Sequence, residues 1–173
     1  INNKFVLRLN LISSVAFIIL SYGFADHLVV PDHLNDWNIL QESDVWVGWT
    51  MKDDIQWCRA EKILPFEMEY ISHTIENKEN YPNVFKRIED TAVLAPDIVH
   101  ISLDMPFPFS GRDYIVKYVS NKTENENTYT FTAYDKMNVP ERKNYVRLIN
   151  AGGRWTVVPP VSYTHLRAHE TLR

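Results

Sequence analysis

Hydrophobic and polar residues alternate along most of the second half of the chain. From Ile98 to Met105, apolar side chains take every second position, and His100, Ser102 and Asp104 fall between them. A period of two is typical of β-strands with two different faces. Similar stretches follow and are separated by polar turns, which predicts an antiparallel meander. Its strands are predicted over 98–105, 112–120, 128–134 and, as a closing hairpin, 145–150 and 155–158.

The first half of the chain combines strands with helices. A short helix is predicted over 31–40, and a strand-like alternation follows over 45–49. A turn over 51–54 and a second strand over 55–63 complete a hairpin.

After this hairpin the apolar spacing becomes helical. Met68, Ile71 and Ile75 are three and four residues apart, which places them on one face of a helix. Strands, then helices, then a long meander predict an α+β domain.

The first 25 residues have the pattern of a signal peptide. A positively charged start precedes an apolar run over 9–20, and the small residues Gly23 and Ala25 allow cleavage after residue 25. We therefore expect an exported protein, in the periplasm or outside the cell. The alternative is an uncleaved segment that anchors the chain to the membrane.

Residues 161–173 are interpreted as a non-native tail. Codons for most of this segment reproduce a transposase-type sequencing adapter, and the segment continues no hydrophobic period from the strand before it. His165 and His169 have the spacing of metal ligands on a helix. Because an adapter encodes these residues in any read-through, no metal site is predicted. The ligand-binding domain is expected to span residues 26–160.

The amino-acid composition limits the kinds of molecule that the protein is expected to bind. Hydrophobic residues make up 45% of the chain, which is enough for a core or an apolar pocket. The net charge of -4 argues against a nucleic-acid surface, which needs clustered Lys and Arg. Cys58 is the single cysteine, so no internal disulfide can form and a structural thiol is expected. No pattern indicates a cofactor or an oligomeric state.

One segment resembles a signature of START domains. A proline-aromatic loop, Pro106-Phe107-Pro108-Phe109, runs into the pair Arg112-Asp113 at the start of a predicted strand. Other segments match in the order of that family, and the resemblance, which is to the bacterial type, covers about residues 37–159. These segments are 57–59, 81–82 and 153–155.

The resemblance implies a START-like helix-grip fold. In such a fold a curved antiparallel sheet grips a long C-terminal helix, and a lipid or other hydrophobic small molecule lies between them. Transient membrane contact is expected of such a domain. The family would continue after Pro159 with a strand and the gripping helix, so we expect that helix to be missing and the concave face to be uncovered.

Strand parity predicts the ligand-binding residues. If Val99 faces the interior, alternate residues on its strand and their cross-strand partners share that face. The predicted residues are Val99, Ile101, Leu103, Tyr114, Val116, Tyr118, Tyr129, Phe131, Val146 and Leu148.

Two sets of polar residues could suggest catalysis, but the expected geometry of neither set supports it. His100, Ser102 and Asp104 lie in a row that does not give the geometry of a triad, and their face is expected to be solvated. Arg112 and Asp113 are adjacent and point to opposite faces, so they cannot act on one ligand. Arg112 is expected to bind a buried carboxylate or backbone carbonyls.

The sequence therefore favours binding or transport of a lipid or other hydrophobic molecule, with no catalytic residue. One alternative is an aromatase/cyclase-like enzyme that acts on a polyketide. It would need polar groups that converge on Tyr114, Tyr118 and Tyr129. The other alternative is a structural or interaction domain whose cavity is filled by its own side chains.

Overall fold

One ten-stranded sheet dominates the computed structural model, which describes residues 5–11 and 28–159. The strands are β1 (Phe5–Leu11), β2 (Asn38–Glu42), β3 (Val45–Lys52), β4 (Ile55–Leu64), β5 (Ile88–Ala95), β6 (Ile98–Leu103), β7 (Gly111–Lys122), β8 (Asn127–Ala133), β9 (Tyr145–Arg147) and β10 (Gly152–Val158). Between β4 and β5 the chain forms two helices and a 3-10 turn. These are α1 (Met68–Glu76), the turn Lys78–Asn80 and α2 (Tyr81–Val84).

Neighbouring strands run antiparallel in the order β2-β3-β4-β1-β10-β8-β7-β6-β5, and β9 pairs in parallel with the start of β7. The predicted hairpin of β3 and β4 is confirmed. Asp53 and Asp54 form its two-residue turn with φ angles of 53° and 58°. Two successive left-handed residues are typical of a type I′ turn, whose twist matches that of the strands it joins. The α+β architecture of the described residues agrees with the prediction.

Two predicted elements are wrong. Residues 31–40 do not form a helix, because Asp36 has a φ of 55° and the chain enters β2 at Asn38. A positive φ interrupts a right-handed helix, and pairing with β3 keeps the following backbone extended. The predicted closing hairpin does not form either, because β9 pairs with β7 through Gly111–Asp113 whereas β10 pairs with β8.

β1 lies within the predicted signal peptide. Its backbone pairs with β4 on one side and β10 on the other, so that Leu9 is opposite both Ala60 and Trp155. The remainder of that peptide lies outside the described residues, as do the tail 161–173 and any gripping helix after residue 159. Export, the origin of the tail and the missing helix therefore stay predictions. No helix within the described ranges is long and apolar enough to cross a membrane.

The hydrophobic core lies on one face of the sheet, which we call the core face. Helices α1 and α2 supply Ile71, Ile75 and Tyr81, and the strands supply the rest of the cluster. The strand residues are Val99, Ile101, Val116, Tyr118, Tyr129, Phe131, Trp155 and Val157. The helical face predicted for α1 is confirmed, since Ile71 and Ile75 are buried and Met68 packs at the edge of the cluster.

The opposite face, the outer face, is covered in part by residues 28–37, which we call the crossing segment. At one end Asp32 pairs with Arg154 of β10 at 2.9 Å. Further along, the carbonyl of Asn35 accepts a hydrogen bond from the Thr50 hydroxyl of β3 at 2.9 Å. The crossing segment therefore contacts strands on both sides of β1.

A second segment, residues 134–150, covers the outer face of β6 and β7, and we call it the strap. Backbone hydrogen bonds fix it to β7: the Tyr134 amide donates to the Ile115 carbonyl at 2.9 Å, and the Leu148 amide donates to the Asp113 carbonyl at 2.8 Å. With the hydrophobic cluster on one face and the strap on the other, the first five residues of β6 are all buried.

Replacement of Ile101 with alanine tests the burial of the core face. Ile101 is 2% exposed and Ile39 of β2 is 55% exposed. Loss of the same atoms should lower the free energy of unfolding by about 2–5 kcal/mol in Ile101→Ala, and by about 0.5 kcal/mol or less in Ile39→Ala. Urea unfolding followed by tryptophan fluorescence measures both values. Equal losses would contradict this assignment of the core.

Candidate ligand-binding site

Eight of the ten predicted ligand-binding residues lie together on the core face. Antiparallel pairing brings them together because direct cross-strand partners share a face. Val99 is opposite Val116, Ile101 is opposite Tyr114, and β8 continues the same side. Six of the eight are buried and two, Leu103 and Tyr114, pack partly buried against the cluster. The eight are Val99, Ile101, Leu103, Tyr114, Val116, Tyr118, Tyr129 and Phe131.

The other two predicted residues, Val146 and Leu148, lie in the strap and are not part of the buried cluster. Val146 is opposite Arg112 and so faces the same side as the core face, at its edge, where it is 48% exposed. Leu148 lies against the outer face. The expected placement of Leu148 is wrong because β9 pairs in parallel with the start of β7 instead of extending the meander. On this face Trp155 and Val157 of β10 are the neighbours of β8. Strand parity did not predict them, because residues 145–150 were expected to pair with residues 155–158.

Tyrosine hydroxyls form a chain at the base of the core. The Tyr81 hydroxyl donates to the Ile75 carbonyl at 2.6 Å and accepts a hydrogen bond from Tyr118. Burial raises the pKa of Tyr81 to about 12, and it also raises the pKa of Tyr118 and Tyr114 above the ordinary value. These hydroxyls therefore stay protonated and act as neutral donors at neutral pH.

Helix α1 is fixed to the sheet by polar contacts at the edge of the core. The Tyr129 hydroxyl donates to Oε1 of Glu76 at 2.8 Å, and Lys122 pairs with the same carboxylate. Burial opposes ionisation of Glu76, but the hydrogen bonds from Lys122 and Tyr129 outweigh it and lower the pKa of this carboxyl. A second contact joins the amide of Asn127 to the Ser72 hydroxyl at 2.9 Å.

An apolar stretch extends the core face across β3 and β4. Strand register through β1 places alternate residues of these strands on the same side as Trp155. Helix α1 packs on β10 and α2 packs on β5, so this stretch is only half buried. Its members are Val45, Val47, Trp49, Cys58 and Ala60. The core face thus has a closed part and a partly open apolar part.

A buried polar network occupies the outer face. Asp113 is 1% exposed, and its Oδ2 accepts hydrogen bonds from Nε and Nη2 of Arg147 at 2.9 and 2.7 Å. Nε2 of His100 lies 2.8 Å from the same oxygen. Burial opposes ionisation of Asp113, but hydrogen bonds with Arg147 and His100 outweigh it and lower the pKa of the carboxyl. The network joins β6, β7 and the strap.

The structure contradicts the expected exposure of His100 and Ser102 and agrees with the expected contacts of Arg112. The face of His100 and Ser102 is not solvated: the two residues are 8% and 1% exposed, because the strap covers them, whereas Asp104 is exposed. Arg112 and Asp113 do point to opposite faces, as strand parity predicts. Arg112 donates from Nη1 to the carbonyls of Ser110 and Gly111, which agrees with its predicted interaction with backbone oxygens.

A small cavity of about 110 Å³ lies between the strap and the outer face. Ile115 and Ala133 of the sheet form one wall, and Met137, Leu148 and Ile149 of the strap contribute apolar side chains. Its volume accommodates only a few water-sized molecules, which is small compared with ordinary ligand pockets. Among the described residues, no group of three His, Cys, Asp or Glu side chains could hold a metal ion.

The arrangement of strands and helices matches solved lipid transfer domains. A STAR-related lipid transfer protein from Xanthomonas axonopodis has a TM-score of 0.58 and 13% identity, over 73% of this chain and 83% of that chain. Human STARD10 has a TM-score of 0.54 and 14% identity, over 84% and 75% of the two chains. The chain has a START-like fold.

A third START-like structure gives the same result. The lipid transfer and protein localization domain of human StarD13 (DLC2) has a TM-score of 0.54 and 10% identity, over 73% of this chain and 74% of that chain. No protein-family model and no curated protein sequence matches the chain. In the START-like domain described here, the loop 106–109 follows β6, and the pair Arg112-Asp113 opens β7.

Replacement of Asp113 with asparagine tests the buried network. The change keeps the shape of the side chain but leaves Arg147 without its charged partner, so the free energy of unfolding should fall by about 3–5 kcal/mol at pH 7. The folded-state pKa of Asp113 lies below the ordinary 3.8. The stability that its ionisation contributes is therefore present above about pH 4 and is lost as the pH falls through the folded-state pKa.

Denaturant unfolding between pH 7 and pH 2.5 measures this dependence, and Asp104→Asn provides the matched control. The Asp104 side chain is 67% exposed and lies 3.8 Å from Arg87, so its replacement should cost about 0.5 kcal/mol or less. A difference between wild type and Asp113→Asn that stays constant down to pH 2.5 would refute the role of the ionised carboxylate.

Proposed function

We propose that this START-like domain binds a lipid or another hydrophobic small molecule at the core face. The observation that carries the proposal is the half-buried apolar stretch on β3 and β4, which continues the buried cluster without a polar interruption at Val47, Trp49 and Ala60. Partly open apolar surface of this kind is typical of binding sites. Covering roughly 100 Å² of such surface would contribute about 2.5 kcal/mol.

The fold supports the same proposal. Two of the three compared structures are named as a lipid transfer protein or domain, and at 10–14% identity all three share the arrangement of the chain. Binding by burial of apolar surface needs no particular catalytic residue, and it tolerates large sequence change as long as the face stays apolar.

The aromatase/cyclase-like alternative needs acid–base groups beside the core-face tyrosines. The buried pair His100 and Asp113 lies on the outer face, so the sheet separates it from Tyr114 and Tyr118. Glu76 does contact Tyr129, but its pKa is lowered and Lys122 neutralises it, which makes it a poor proton donor at neutral pH. The geometry therefore favours binding over catalysis.

Replacement of Ala60 with aspartate tests the proposed site. The uncharged probe diphenylhexatriene should fluoresce on binding to the wild-type chain. A carboxylate in the middle of the half-buried stretch should weaken this binding about tenfold or more, because an ionised group there must be desolvated. Val119→Asp is the control, since Val119 is 65% exposed and faces the outer side.

The two results that would count against the proposal are clear. One is a wild-type chain that gives no fluorescence increase with diphenylhexatriene. The other is an equal loss of binding in Ala60→Asp and Val119→Asp, which would show that the probe does not bind at the core face.

Transient membrane contact is part of this proposal. The loop 106–109 connects β6 to β7 and carries Phe107, which is 97% exposed, and Phe109, which is 48% exposed. Aromatic side chains in this exposed position suit the interface between water and lipid. An exposed loop of this kind would bring one end of the sheet to a membrane surface.

Phe107→Ser should weaken co-sedimentation with phosphatidylcholine vesicles about tenfold to a hundredfold, because insertion of one phenylalanine side chain corresponds to about 1.5–3 kcal/mol. Val29→Ser is the control, since Val29 is 79% exposed in the crossing segment, away from this loop. Equal weakening by both substitutions, or no vesicle binding by the wild-type chain, would overturn the role of the loop.

A further inference from the structure

Arg112 is an arginine without an acidic partner. Every other arginine between residues 28 and 159 is paired with a carboxylate. Nη1 of Arg112 donates to the carbonyls of Ser110 and Gly111 at 2.7 and 3.2 Å, and its Nε and Nη2 form no hydrogen bond within the described residues. A partly buried guanidinium with unused donors is suited to bind an anion.

Tyr114 provides a second unused donor on the same face. Arg112 and Tyr114 are alternate residues of β7, opposite Leu103 and Ile101, and their Cα atoms are roughly 7 Å apart by strand geometry. The Tyr114 hydroxyl forms no hydrogen bond within the described part of the chain, whereas Tyr81 and Tyr129 each donate to an oxygen. The Tyr114 oxygen is also not sealed from solvent.

The acidic residue next to Arg112 does not neutralise it by contact. The Asp113 side chain points to the outer face, where Arg147 and His100 bind it, and the sheet lies between the two charges. The surroundings of Arg112 and Tyr114 on the core face are apolar, with Leu103 and Ile101 as their direct neighbours. The positive charge therefore lies at one end of an apolar surface, next to a hydroxyl donor.

We propose that Arg112 and Tyr114 bind the anionic head of an amphipathic ligand, a carboxylate or a phosphate, whose hydrocarbon tail lies along the core face. This inference rests on the proposed function, because only an apolar core face gives the tail a place to bind. It adds the class of ligand: a chain with a charged head, in preference to a neutral lipid. The guanidinium supplies charge-assisted hydrogen bonds, and the Tyr114 hydroxyl adds a neutral one.

Titration calorimetry with dodecanoate and dodecanol tests the inference on the wild-type chain. The two probes share a tail of the same length and differ in the charge of the head, so dodecanoate should bind about tenfold more tightly at pH 7.5. Inorganic phosphate at the same concentration should not displace dodecanoate, because it lacks the tail. Displacement by phosphate alone would show a site for free anions and would overturn the proposal.

Substitutions locate the effect. Arg112→Gln should weaken dodecanoate binding about tenfold and leave dodecanol within twofold, and Tyr114→Phe should weaken dodecanoate about threefold to fivefold. The controls are Arg87→Gln, which removes an exposed arginine on a neighbouring loop, and Tyr134→Phe, which removes a hydroxyl in the strap. Neither control should change the ratio of the two affinities.

The outcomes separate this inference from the proposed function. Equal affinity of the wild-type chain for both probes, or equal weakening of both in Arg112→Gln, would refute the anionic head and leave apolar binding intact. Failure of the wild-type chain to bind either probe would refute the proposed function, and this inference with it. The comparison of dodecanoate with dodecanol on the wild-type chain tests the preference for an anionic head even if Arg112→Gln does not fold.

Discussion

The buried carboxylate of Asp113 is the interaction on which much of this structure depends. A charge at 1% exposure is tolerated only with close partners, and Arg147 and His100 supply them. Because Arg147 belongs to the strap, the same contact that compensates the charge also closes the outer face over β6 and β7. The sheet is then buried on both sides at β6, near its β5 edge, and the apolar surface that stays partly open lies at β3 and β4 on the core face.

Arg112 and Asp113 have different roles because their side chains lie on opposite faces of the sheet. Two neighbouring residues with opposite charges suggest a pair, but the alternation of a strand sends them to different faces. Asp113 holds the strap through Arg147, while Arg112 remains beside Tyr114 on the core face. A short motif at the start of one strand thus contributes to stability on one side and supplies a candidate ligand contact on the other.

Much of the core face could be predicted because alternation is a local property. Val99, Ile101 and Val116 follow from a period of two within strands that lie next to each other in sequence and in space. The strap could not be predicted in the same way, since Arg147 and Asp113 are 34 residues apart and no periodicity links them. Its covering of His100 and the position of Leu148 against the outer face follow from the long-range pairing of the strap with β7.

The crossing segment has a consequence for the order in which the domain can form. Asp32 and Arg154 are separated by 122 residues, and the Asn35 contact with Thr50 reaches only 15. Contacts between distant residues have a higher entropy cost of loop closure than local contacts, and folds that depend on them form more slowly. We therefore expect the β3–β4 hairpin and the β5–β8 meander to emerge during synthesis as separate folding units. Within the described residues, they become a single cooperative unit only when the strand that carries residue 154 leaves the ribosome.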